Sequence, residues 1–173
     1  MSEPQGAAPP GLRSERRGKA VPQERPEASR KAPYAQHVRL RVGAEAYAVP
    51  VEHVLEVTGL GEVAAVPGAR PELLGVRNLR GQILPVADLA RLLGTGRPAA
   101  ATRLLVAESA GRRAGFAVDE VSGVGELAEP AEETESGLLA GAVLAGGDLI
   151  GVIDMPRVFD ALQFDARGER EAR

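Results

Sequence analysis

Gly75-Val76-Arg77-Asn78-Leu79-Arg80-Gly81-Gln82-Ile83-Leu84-Pro85-Val86-Ala87-Asp88-Leu89 reads as a strand, a tight Arg-Gly turn, a second strand and an Asp that opens a short helix. Its second half returns near the C-terminus as Gly147-Asp148-Leu149-Ile150-Gly151-Val152-Ile153-Asp154-Met155-Pro156-Arg157-Val158-Phe159. Gly81, Val86, Asp88 and Arg91 match Gly147, Val152, Asp154 and Arg157 at one constant offset. A supersecondary unit repeated within so short a chain predicts two similar small modules, with function on their surfaces.

Working back toward the N-terminus, Val38-Arg39-Leu40-Arg41-Val42 alternates apolar and basic residues, the period of a half-buried strand. Gly43-Ala44-Glu45 turns the chain into Tyr47-Ala48-Val49-Pro50, and Val51 to Gly59 reads as one helical turn running into a strand. A connection rich in Gly and Pro follows, with Glu72-Leu73-Leu74 as a single turn. Asp88 stands at an N-cap position, its carboxylate free to accept the first helical N–H groups. Leu89, Leu92 and Leu93 make one apolar face before Gly94 ends the helix.

The second half keeps this order. Arg103-Leu104-Leu105-Val106 answers Arg39-Leu40-Arg41-Val42, Gly111-Arg112-Arg113 is a turn, and Phe116-Ala117-Val118-Asp119 answers Tyr47-Ala48-Val49-Pro50. Asp154 precedes a helix with Pro156 in its first turn, where a missing N–H costs nothing. Short strands, short connections and token helices predict an all-β fold of two small barrels, which leave no open sheet edge. A half of about 60 residues is marginal alone, so the two are expected to share a packed interface.

Residues 1–33 carry six prolines among Arg, Lys, Glu, Gly and Ser, with seven basic against four acidic side chains. Such a segment buries too little to offset the entropy of ordering it, and reads as a disordered basic arm. The ordered domain is expected over 34–164, with 165–173 a charged tail. Aromatics are 3% of the chain and Trp is absent, so the core must be Val, Leu, Ile and Ala. Without cysteine, disulfides and thiolate chemistry are excluded. No secretory h-region and no membrane-length apolar run is present, which predicts a soluble, cytoplasmic protein without membrane insertion.

Site chemistry is sparse. No phosphate-binding loop or nucleophile elbow occurs, and the two histidines are too few for a His-rich metal site. Asp88 and Asp154 are explained as caps. The carboxylates of Glu126 to Glu135 lack the alternation of a calcium loop and read as a solvated acidic loop. No cofactor, metal or catalytic residue is expected. A nucleic-acid-binding barrel using the basic arm with Arg39, Arg41, Arg77 and Arg80 is the alternative, though stacking aromatics are nearly absent. Two charges stand apart. Alternation places Val54, Glu56 and Thr58 on one strand face, and Val76, Asn78 and Arg80 on one face of the hairpin. Glu56 and Arg80 are then either unrelated exposed charges or a salt bridge that braces the first barrel and shapes a docking surface.

The Gly75–Leu89 stretch resembles the Gly-Val-x-Asn-Leu-Arg-Gly-x-Ile-x-Pro-(Val/Ile)-x-Asp-Leu hallmark of CheW-type chemotaxis coupling proteins. Tyr47-Ala48-Val49-Pro50 with Val54-Leu55-Glu56-Val57 is similar to that family's opening strands. Phe116 to Val121 and Leu149 to Asp154 fit its second half, so the resemblance covers about residues 36–164. It implies two five-stranded barrels packed on each other, and a non-catalytic adaptor. Its implied partners are chemoreceptor cytoplasmic tips and the regulatory domain of a CheA-type histidine kinase, in membrane-associated arrays. It also implies partner-binding roles at Val54, Glu56, Gly75, Asn78, Leu79 and Arg80. Three departures from the family pattern are the long basic arm, the Glu129-Pro130-Ala131-Glu132-Glu133 connection, and the Gly/Ala-rich strand Leu138–Gly147.

Overall fold

The computed structural model describes residues 33–95, 101–130 and 137–162. Nearly all of the expected arm, residues 131–135 of the acidic run and the C-terminal tail lie outside them. Among the described residues, besides a single 3-10 turn at Val51–His53, there are ten strands and two short α-helices: β1 (Tyr34–Val42), β2 (Glu45–Pro50), β3 (Val54–Gly59), β4 (Leu73–Leu79), β5 (Gln82–Asp88), α1 (Leu89–Leu93), β6 (Arg103–Ser109), β7 (Arg112–Val118), β8 (Glu120–Ala128), β9 (Leu139–Ala145), β10 (Asp148–Ile153) and α2 (Met155–Leu162). They form two five-stranded sheets, β8-β1-β2-β10-β9 and β3-β6-β7-β5-β4, hereafter barrels A and B.

Each half of the sequence contributes to both barrels. Barrel B takes β3, β4 and β5 from the first half and the hairpin β6–β7 from the second. Barrel A takes β1–β2 from the first and β8, β9 and β10 from the second. The two halves therefore exchange their leading hairpins across a pseudo-two-fold relation. This corrects the expectation of one barrel per half. The sequence repeat fixes what each unit looks like, but not which copy its hairpin pairs with.

The pairing register also corrects the alignment of the halves. Val42↔Glu45 and Ser109↔Arg112 close equivalent hairpins, so Val42 answers Ser109, Leu40 answers Ala107 and Arg39 answers Val106. The parallel ladders agree: Ala48 faces Val152 in barrel A, as Gly115 faces Val86 in barrel B. So do the antiparallel ones: Gly123 faces Arg39, as Glu56 faces Val106.

Each sheet has two apolar faces, as a small barrel requires. Barrel B encloses Leu84, Val86, Leu104, Val106 and Ala117. Barrel A encloses a smaller cluster, Ala48, Leu127 and Ile150. The opposite faces meet in the main core, where Val38, Leu40, Val49, Leu105, Phe116 and Val118 pack with Met155, Val158 and Phe159 of α2. Phe116 and Phe159 meet edge to face at 5.6 Å. The core between the barrels is the largest of the three, so the barrels share most of their stabilising burial.

Both helices start as expected. Asp88 accepts from the N–H groups of Ala90 (3.0 Å) and Arg91 (3.4 Å), and Gly94 closes α1 in the left-handed region. Asp154 accepts from Arg157 N at 3.1 Å, with the Arg157 guanidinium 3.4 Å away.

Several local expectations need revision. Leu73 and Leu74 belong to β4, so the turn lies at Pro71–Glu72. The loop between β6 and β7 is Ala110-Gly111, both with positive φ, and Arg112 and Arg113 lie in β7. The acidic run opens in strand rather than loop: Glu126-Leu127-Ala128 ends β8, with Leu127 buried.

Candidate docking site

The Gly75–Leu89 hairpin is built around its turn. Leu79↔Gln82 closes a two-residue loop of Arg80 (φ 51) and Gly81 (φ 84), the mirror-image turn that matches strand twist. A left-handed Arg is costly, and the Asn78 Oδ1 helps to offset it by accepting from Gly81 N at 2.9 Å. The turn thereby aims Arg80 across to β3, where its Nη1 donates to Glu56 Oε2 at 2.5 Å. Arg80 is 76% exposed and Glu56 23% exposed. The other Glu56 oxygen, Oε1, is buried and has no hydrogen-bond partner.

Of the face expected to be shared by Val54, Glu56 and Thr58, the structure keeps Glu56 and Thr58, opposite Val106 and Leu104, and removes Val54. A bulge at Leu55 shifts the register between Val54 and Glu56. Val54 consequently sits with Val57 against the main core. Glu56 is opposite Val106, on the face that encloses the barrel B interior. The bulge pushes Leu55 outward, 48% exposed.

Of the six residues singled out by sequence, the structure brings Glu56, Asn78 and Arg80 together at the barrel B rim. Leu79 is half-buried against the barrel interior. Gly75 is buried and acts through the backbone. It has φ 149, and a Cβ there would lie 2.0 Å from the Ala64 carbonyl oxygen. That close approach lets Ala64 and Val76 exchange two 2.8 Å backbone hydrogen bonds, tying the long β3–β4 connection to β4.

Sequence reasoning missed two features of this region. Arg77 donates to the carbonyls of Gly59 (2.6 Å) and Leu60 (2.9 Å), so it pins the start of the connection. Ile83, opposite Asn78, is 66% exposed, and Val51 and Val66 are also exposed. An apolar residue in a strand reads as core until its register is known. The arginines considered for nucleic acid do not form one face: Arg39 and Arg41 lie in barrel A, while Arg77 and Arg80 are bonded within barrel B.

The rim is thus a rigid hairpin carrying one ion pair, with exposed apolar side chains around it. That is a surface suited to contact rather than to chemistry. The CheW-like domain model matches residues 36–163. The chain is 31% identical over 139 residues to the probable chemotaxis protein CheW of Rhizobium etli, covering 75% of this chain and 90% of that one. It is 36% identical over 103 residues to protein FrzA of Myxococcus xanthus, covering 58% and 64% respectively. Among solved structures, the scaffolding protein TtCheW from Thermoanaerobacter tengcongensis superposes with a TM-score of 0.63 at 26% identity, covering 70% of this chain and 90% of that one. The chain belongs to the CheW-like family of chemotaxis scaffold proteins.

Proposed function

We propose that this protein is a non-catalytic adaptor that couples chemoreceptor cytoplasmic tips to the regulatory domain of a CheA-type histidine kinase. The observation that carries this reading is the Glu56–Arg80 pair, held on a rigid hairpin and flanked by exposed Leu55 and Ile83. Apolar contacts supply affinity there, and a fixed charge pair supplies orientation. Val54, Gly75 and Leu79 support this face from beneath, while Asn78 and Arg80 meet the partner. The protein works in the cytoplasm, recruited to membrane-associated arrays where many weak contacts sum by multivalency. Among the described residues no helix is long and apolar enough to cross a membrane.

Binding can be read directly. The protein is titrated against a CheA-type regulatory domain and against a receptor-tip fragment. Both should bind the wild type, and Arg80→Ala should weaken at least one about tenfold or more while the fold is retained. Failure of the wild type to bind either partner would reject the reading.

A further inference from the structure

Arg39 is an anomaly in barrel A. Strand alternation sends Val38, Leu40 and Val42 into the main core and turns Arg39 to the face shared with Ala48, the interior of barrel A. Its Nε is sealed from solvent and lacks any hydrogen-bond partner. The other β1 arginine, Arg41, at least lies 4.0 Å from Asp148. A buried N–H without an acceptor is destabilising, and the matching position of barrel B avoids the problem by carrying Val106, buried in its interior cluster.

The pseudo-symmetry shows what is missing. In barrel B the residue facing Val106 is Glu56, held by Arg80. In barrel A the residue facing Arg39 is Gly123, and the turn position answering Arg80 is Gly146. Both glycines are exposed to solvent, with nothing within 4 Å of a Cβ built on either. Gly125, next along the same face, carries the Arg39 guanidinium at 3.5–3.7 Å from its own virtual Cβ. Barrel B has a carboxylate at this pair of positions, and its own interior-facing arginine, Arg77, is bonded to the Gly59 and Leu60 carbonyls. Barrel A has Arg39 facing glycine where that carboxylate would stand, with no acceptor for its Nε.

We propose that Arg39, beside Gly123 and Gly125, is a binding site for an external carboxylate. That carboxylate would approach from solvent over Gly123, which offers no side chain in its way, and take the bidentate hydrogen bonds a guanidinium fork is shaped to give. The site is separate from the Glu56–Arg80 rim, and its test needs neither kinase nor receptor.

Thermal unfolding of the full chain is followed while sodium succinate or a hexaglutamate peptide is added at constant ionic strength, with chloride as the balancing anion. Arg39→Met keeps the apolar stem and removes the guanidinium, Arg39→Lys keeps the charge without the fork, and Arg103→Ala removes an exposed arginine elsewhere. At tenfold the dissociation constant the wild type and Arg103→Ala should gain about 5 °C in Tm. Arg39→Lys should gain less and Arg39→Met nothing. A response to succinate identifies a free carboxylate as sufficient, and a response to hexaglutamate alone identifies a carboxylate borne on a polypeptide. No response in the wild type, or an equal response in Arg39→Met, would overturn the site.

Discussion

Barrels A and B are built on one plan, yet their equivalent rims have diverged in opposite directions. At the β4–β5 tip of barrel B stand Asn78, Arg80 and Ile83, with Glu56 alongside. The same positions in barrel A are Leu144, Gly146, Leu149 and Gly123. Leu144 and Leu149 are cross-strand partners, 74% and 68% exposed, where barrel B shows an amide opposite an isoleucine. A duplicated scaffold has thus kept its backbone rules and changed its tips. Those shared rules are the two-residue hairpins, the Asp caps and the bulges in corresponding strands. The lesson is that fold and contact surface are specified by different residues in this chain, and substitutions should separate them.

The largest expected effect is on the fold alone. Gly75→Ala forces a Cβ into the Ala64 carbonyl as well as an unfavourable φ, and should cost about 3–4 kcal/mol in denaturant unfolding. Gly123→Ala in barrel A meets no neighbour and should cost about 1–2 kcal/mol from φ strain alone. Equal losses at the two positions would mean that the Ala64–Val76 tie is not what makes Gly75 necessary.

The caps offer a second comparison. Asp88 is buried and serves two N–H groups, whereas Asp154 is half-buried and serves one. Asp88→Ala should cost about 2 kcal/mol and Asp154→Ala about 1 kcal/mol in the same assay. A reversed order would contradict the burial argument.

Barrel A also carries a pH-sensitive contact. Burial first, then the hydrogen bond from the Tyr47 hydroxyl to Glu45 and the Glu45 charge, push the Tyr47 hydroxyl well above its ordinary value. A raised folded-state value means the proton is held more tightly in the native state. The associated stability is complete below the ordinary tyrosine range near 10, and is lost as pH rises through and beyond it, by about 1.4 kcal/mol per unit. Unfolding measured from pH 8 to 11 should show this decline, and Tyr47→Phe should flatten it.

Much of the architecture could be read from the residues. The glycines at hairpin loops, the aspartates ahead of apolar triplets and the alternation in β1 each have a local physical cause, so they survive in sequence. The hairpin exchange does not, because periodicity is blind to which copy a strand pairs with. The Leu55 bulge was equally hidden, and it put Val54 on the face opposite Glu56 and Thr58. Strand β8 was obscured because Ser122, Gly123 and Val124 all face solvent and leave little alternation to detect. The Glu56–Arg80 contact was accessible as one of two readings, since Glu56 interrupts an apolar segment and Arg80 closes the strand that begins at Val76. Its dependence on a left-handed Arg80 was not.

The smallest effect on stability is expected at the residues proposed to matter most for coupling. Removing the exposed Arg80 side chain from its pair with Glu56 should cost roughly 0.2–1 kcal/mol. The decisive measurement is receptor-dependent activation of a CheA-type kinase, reconstituted with Arg80→Ala and with Glu56→Lys, alongside their thermal unfolding. The predicted result is loss of activation by both variants with Tm lowered by no more than a few degrees. Normal activation by both folded variants would contradict the account.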